Sequence, residues 1–444
     1  MTEPAPSRRP RWTPAYVLGI GLVAAAAAGF AIVFRATLAV TLSFVAGASN
    51  VVDAMVRAPW YWRLLLPAGG AFVAGVLVRI AARKPGGHGV GDVMEAVALG
   101  RIRLSLPVAL LRAAASWFAI VTGGSLGREG PLIQFGGTAG QHIGARLALR
   151  IEQRRILIAA GTAAGFAAAY NTPLAAVAFV LEVIAGVVVM DTILPTMVAT
   201  VIATGLTRAA VGAGPIYGER TFVAPDLREL VAFAVVGAIA AVVAWSFTRL
   251  IAVGEHLIQR LKLASPWRQT LGGLGAGAIV VALPAVAGNG YEPLGAVLDG
   301  SLPLAVVGWL LLAKAFATTS SVSSGSPGGV FTPSMLIGGC TGYLIGSGLD
   351  AAGLAVSPAG GYALVGMASA VAATTHAPLM AAMLAFEVSG DYGVVLPLVL
   401  ATAIATGLAR KLGRDSIYTA ELRARGVSWE LTLAGREVED DNSG

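Results

Sequence analysis

The sequence predicts an all-α polytopic membrane protein built from two related halves, on three observations: scarce charge, long apolar runs and an internal repeat. Of its 444 residues 56% are hydrophobic and only 12% charged, about half the charge of an ordinary soluble domain, and its mean hydropathy is +0.76. A spanning helix needs about 20 predominantly apolar residues. Stretches 16–33, 64–80, 230–245 and 394–408 reach or approach that length with few or no charges. No strand-like alternation of any length is present. About 16–18 helices of uneven length are expected, several of them ending inside the bilayer.

Residues 161–183 read GTAAGFAAAYNTPLAAVAFVLEV, and residues 366–388 read GMASAVAATTHAPLMAAMLAFEV. Gly161, Pro173, Leu174, Glu182 and Val183 recur as Gly366, Pro378, Leu379, Glu387 and Val388, at an offset of 205. Upstream in each half lies a glycine-rich breaker, GGSLGREGP ending at Pro131 and GSPGGVFTP ending at Pro333, at an offset of 202. Paired hydrophobic halves with Gly/Pro-interrupted elements at corresponding places are the mark of a transporter repeat, here of inverted topology, with its site near the midplane. Bare peptide groups in lipid cost several kcal/mol each, so broken helices belong where backbone lines a cavity. Segments 173–189 and 378–388 both begin at a proline, which suits the first turn of a helix. The predicted organisation is a tail over 1–15, a membrane domain over 16–426 with repeats at about 60–208 and 227–410, and a short polar tail over 427–444 whose GREVEDDNSG stretch reads as disordered.

The net charge of +7 does not point to nucleic acid. It sits in short clusters beside apolar spans, at Arg8, Arg9 and Arg11, at Arg150, Arg154 and Arg155, and at Arg410, Lys411 and Arg414. Such clusters mark cytoplasmic flanks, so both termini are expected in the cytoplasm. The first apolar run leads directly into further spans, unlike a cleavable leader. The single cysteine, Cys340, lies among small residues and is expected to pack helices.

Three breakers and a tyrosine carry the chemistry. In GSLGREGP the glycines leave backbone amides uncovered where a helix starts, and N–H groups with the positive end of a helix dipole make an anion site. Glu129 is a carboxylate in that apolar setting, and such residues are usually functional. It can occupy the nest as a tethered competitor and leave when protonated. GSPGGVFTP offers a second helix start with amides at Val330 and Phe331, and the Phe331 ring could narrow the passage. Repeat symmetry would bring these two breakers together. PGGHGVGDVMEA places His88 and Gly89 ahead of a helix near Asp92. Tyr418, in DSIYTAELRARG, offers a hydroxyl donor suited to an anion. His142 and His376 have no partner at metal-ligand spacing, so neither a metal nor any other cofactor is expected. The serine-rich run 320–326 has no His/Asp constellation and reads as vestibule lining or a helix cap. No Walker loop is present. Nothing supports an enzyme.

GREGP at 127–131, GGVFTP at 328–333, the 366–392 stretch and SIYTAELRARG at 416–426 resemble signatures of the CLC chloride channel and transporter family, in order and over residues 60–426. The resemblance implies a CLC-type fold, a homodimer with one pore per subunit, chloride or another small anion as cargo, and the cell inner membrane as location. It implies that Glu129 gates the pore. It also implies that the amides of Val330 and Phe331 and those around Arg128–Gly130, with Tyr418, hold the anion. The dimer interface is expected within 173–207 and 377–409. Only 26 residues follow Tyr418, too few for the paired CBS domains many members append.

Two departures stand out. The family's first filter motif, usually G-S-G-I-P, aligns with Gly87, His88, Gly89, Val90 and Gly91, so a histidine replaces the serine. An imidazole can donate to an anion or turn away, and halide preference, fluoride included, follows from which. Exchangers typically carry a second glutamate, the inner proton relay, where this chain has Val183. That favours a channel over an antiporter, which would need an unconventional proton route through water or His88. Glu182 and its twin Glu387 read as helix-packing carboxylates bonded to backbone.

Overall fold

The computed structural model describes residues 12–437 except 84–88, 99, 101–102, 187–189, 213, 215, 219, 221, 223–227, 356, 424–425, 428–429 and 433–434. His88 and the basic N-terminal cluster therefore lie outside the described residues.

Helices follow from apolar runs bounded by local stops. α1 (Pro14–Ala46) starts at the Thr13 hydroxyl, which accepts from the Tyr16 amide, has Pro14 in its first turn, and ends at left-handed Gly47; a cap of this kind is worth about 1 kcal/mol. α2 (Val51–Arg57) is capped by Asn50. The first half continues with α3 (Trp60–Ala82), α4 (Val90–Ala98), α5 (Leu106–Val121), α6 (Glu129–Arg146), α7 (Ile151–Tyr170), α8 (Pro173–Phe179) and α9 (Met190–Val211). The second comprises α10 (Glu229–Arg260), α11 (Trp267–Ala282), α12 (Tyr291–Leu298), α13 (Leu304–Ser323), α14 (Phe331–Ala351), α15 (Ala359–Thr375), α16 (Pro378–Ser389) and α17 (Val395–Leu412), followed by the short α18 (Thr419–Arg423).

Among the described residues six apolar segments are long enough to cross a membrane, one of them Pro14–Arg57 with α1 and α2 together. Three of the four runs singled out in the sequence fall within α1, α3 and α10, and the fourth, 394–408, lies in α17 apart from its N-cap residue Val394. Leu106–Val121 and Pro378–Ser389 are apolar but shorter than a full span, bounded by prolines at their starts and glycines beyond their ends. The exceptions to the all-helical expectation are strands β1 (Glu430–Thr432) and β2 (Gly435–Glu437), which pair antiparallel in the polar C-terminal segment. Part of the stretch read as disordered is thus a hairpin: Leu431 opposite Arg436 gives it only a short ladder, too brief for an alternation to be visible in sequence.

The two halves pack by the same device. Gly136 of α6 faces Gly161 of α7, and Gly338 of α14 faces Gly366 of α15; a Cβ at any of the four would overlap backbone of the partner helix. Small residues let membrane helices approach closely where no hydrophobic effect drives them together. These contacts, with α3 against α11 and α10 against α17, bury one large core that includes Phe166, Phe179, Phe331 and Cys340. The irregular segments are satisfied in turn. Buried Lys314 of α13 donates to the carbonyls of Val286 and Gly288, at 3.0 and 2.8 Å, fixing the turn between α11 and α12.

Candidate functional site: a carboxylate held on two helix starts

The two breakers meet. Gly127 and Gly329 exchange backbone hydrogen bonds of 2.7 and 2.8 Å, a two-residue antiparallel bridge that sets the starts of α6 and α14 side by side. Glycine is needed here because a side chain at either position would run into Glu129. Glu129, 1% exposed, is the first residue of α6 and turns its carboxylate across the bridge. Oε1 accepts from the amides of Phe331 and Thr332, at 3.0 and 3.3 Å, and Oε2 accepts from the Thr332 hydroxyl at 3.0 Å. The Thr332 hydroxyl is in turn 2.9 Å from that of Tyr170, which supplies the donor because the Thr332 proton is spent on Glu129. The carboxylate therefore sits on the unpaired donors of a helix N-terminus, where an anion is most favoured.

Below it opens a cavity of about 600 Å³. Gly89, Glu129, Gly130, Val330 and Tyr418 all line it, so the structure gathers five of the residues the sequence singled out. Its walls also carry Arg112, Arg249 and Arg414 against Glu255, Asp415 and Glu421.

Two placements differ from the sequence reading. The Gly89 amide donates to the Asp92 carboxylate at 2.6 Å, so it caps α4 and is not open to an anion. The Phe331 ring does not narrow the cavity: it is buried against Phe166 and Tyr170, with centroids 5.5 and 5.4 Å away. The expectation at Arg128 concerns its backbone amide; its side chain lies over the Tyr291 ring at 4.5 Å. Of the two readings offered for the serine run the cap applies: Ser320, Ser321 and Ser324 bond backbone carbonyls, and Ser324 closes the end of α13.

Thr332 and Tyr170 were missed by sequence reasoning. Both lie inside segments already quoted, and the signal was a hydroxyl one residue beyond the Phe331 amide at an exposed helix start.

The repeat glutamates cross over. Glu182 accepts from Leu379 and Met380 amides at 3.1 and 2.7 Å, and Glu387 accepts from Leu174 and Ala175 amides at 3.0 and 2.8 Å. Each caps the proline-started helix of the other half. Glu182 and Val183 lie in a π-helical turn, Val180–Ala185, that continues α8; Val183 is buried and lines no part of the cavity. Among the described residues no cluster of side chains has the makings of a metal site.

Residues 70–410 match the family described as voltage gated chloride channel. The chain belongs to the CLC family. Among its relatives, a ClcB-like protein of Ralstonia nicotianae is 36% identical over 90% of this chain and 95% of its own length. The voltage-gated ClC-type chloride channel ClcB of Salmonella typhimurium is 32% identical over 83% of this chain and 90% of its own. The fold matches that of a slow cyanobacterial Cl-/H+ antiporter, with a TM-score of 0.82 at 24% identity over 94% of this chain and 99% of the other. It also matches a CLC-type fluoride/proton antiporter, with a TM-score of 0.76 at 23% identity over 92% of this chain and 98% of the other. At those identities the likeness speaks for the fold, two inverted repeats included. Membership makes the chain a multi-pass membrane protein of CLC-type chloride transport and not an enzyme.

Proposed function

We propose that this chain is a chloride channel with one pore in each subunit of a homodimer, gated by Glu129, in the cell inner membrane with both termini cytoplasmic. The observation that carries the reading is the Glu129 carboxylate resting on the Phe331 and Thr332 donors, a place built for a free anion. Chloride enters the larger cavity from the cytoplasm past Tyr418 and reaches Gly130 and Val330. There it competes with Glu129. Protonation removes the charge that holds the side chain on the amides, the carboxyl swings off, and chloride takes the donors it leaves. Val183, a side chain without a proton to carry, supports an uncoupled pathway.

A second reading, proton-coupled antiport, is favoured by one feature. The cavity reaches from Glu129 to Glu255 and Glu421, so water in it offers protons a way to the gate that needs nothing at residue 183. Liposomes holding the purified protein, with a chloride gradient and the voltage clamped by valinomycin, separate the two. Chloride flux without uphill proton movement is expected; proton uptake against its gradient at a fixed ratio establishes the antiporter. In the same vesicles Glu129→Gln is expected to give flux that no longer responds to pH. Unchanged flux and pH response in that variant overturns the gate.

A further inference from the structure

Arg128 and Glu129 are neighbours in sequence, yet they line different cavities. Glu129 faces the larger one, whereas Arg128 lines a second cavity of about 320 Å³ that shares no lining residue with the first. One peptide link separates the two spaces. Its wall is made by the middle of α1, the segment leading into α2, the end of α5, the end of α9 and residues Asn289 and Glu292. Arg35 stands in this wall, a cation two-thirds of the way along an otherwise apolar spanning helix. Charged side chains at such a place are rare and usually serve an ion path.

Neither Arg35 nor Arg128 forms an ion pair among the described residues, and only Arg128 has an aromatic partner there, the Tyr291 ring 4.5 Å away. Glu292 lines the same cavity without coming within ion-pair distance of either. The Nε of Arg128 is buried and has no hydrogen-bond partner, a state that costs about 1–3 kcal/mol, more for a charged group, unless a ligand relieves it. Ser49, Asn50 and Asn289 add polar groups to the wall. The fit is to a small monovalent anion.

We propose that Arg35, with Arg128, forms an anion-recruiting antechamber on the far side of Glu129 from the larger cavity. Chloride collects there before it meets the gate, and from there it competes for the Phe331 and Thr332 donors as the carboxylate leaves. Two arginines against the single Glu292 leave the cavity lining net positive, which raises the local counter-ion concentration, and the effect fades as salt screens it. Arg35 is a specificity-setting and recruiting residue; it does not touch the gate. The inference rests on the anion-pathway reading above. Absence of wild-type flux would refute that reading, whereas normal flux with unaltered affinity would refute only this inference.

The test measures the chloride concentration for half-maximal flux from each side of oriented vesicles at low ionic strength. Arg35→Gln is expected to raise it by about tenfold from the extracellular side alone, within the range that focused fields produce, with the cytoplasmic side and the pH response unchanged. Arg35→Lys should restore most of the affinity. Arg35→Cys adds a check that does not depend on comparing folds, since the native Cys340 is buried. Attaching a trimethylammonium group in place should recover affinity, and attaching a sulfonate should lower it further. An unshifted extracellular value in Arg35→Gln overturns the proposal. So does an equal shift from both sides, or a response of Arg35→Cys that ignores the sign of the attached charge.

Discussion

At the scale of single residues, the gate is a competition between one tethered carboxylate and a diffusing anion for the same donors. Glu129 takes two amides and one hydroxyl, and hydrogen bonds to an ionised group contribute about 1.5–3 kcal/mol each. Thr332→Val removes the hydroxyl donor and keeps both amides. Holding the carboxylate less firmly, this variant should pass about tenfold more chloride at neutral pH, since about 1.4 kcal/mol is a factor of ten. Flux equal to or below that of the wild type would mean that the hydroxyl serves the passing anion more than the gate. Tyr170 belongs to the same chain of hydroxyls, so its bond orients Thr332 toward Glu129 rather than away.

At the scale of elements, the helices work by where they stop. α6 and α14 begin at glycine-rich breakers, and their starts lie side by side at the Gly127–Gly329 bridge, with Glu129 of the one on the donors of the other. α8 and α16 begin at prolines and are capped from the other half by Glu387 and Glu182. A carboxylate at a helix start contributes about 0.5–2 kcal/mol. Glu182→Gln and Glu387→Gln should therefore lower thermal stability in detergent by similar amounts, with chloride flux retained in both. A selective change of proton coupling in Glu182→Gln, with Glu387→Gln silent, would instead mark Glu182 as a proton carrier. The symmetry of the two caps explains why one acidic residue recurs in each repeat without any need for paired chemistry.

At the scale of the whole molecule, α9 and α17 leave aliphatic side chains uncovered, among them Leu194, Val201, Leu396 and Val399, each at least half exposed. These lie in the two stretches expected to meet a second subunit, and the dimer proposal is tested on them. Tryptophans at Leu194 and Val201 should shift the protein toward monomers, counted by single-molecule photobleaching in lipid, while each monomer still conducts because its pore is lined by its own residues. A dimer population indifferent to both substitutions would move the interface elsewhere or dissolve it.

Much of this was legible in the sequence by itself. Scarce charge and apolar runs dictate a bilayer solvent, because an uncovered peptide group has nothing to bond there but its own helix. The offsets between GREGP and GGVFTP, and between the two PL…EV segments, gave the duplication, and with it the expectation that the breakers meet. What distance in sequence hides is which donor ends on which acceptor. That Glu129 reaches the second half's Phe331 and Thr332, and that Glu182 and Glu387 cap each other's repeats, are contacts settled by packing. The misplaced Phe331 ring has the same origin: aromatic burial against Phe166 and Tyr170 gains more than lining water. Periodicity and composition act along the chain and can be read from it. A cavity, and the single peptide link that sets Arg128 in one and Glu129 in the other, exists only once helices from both halves have closed around it.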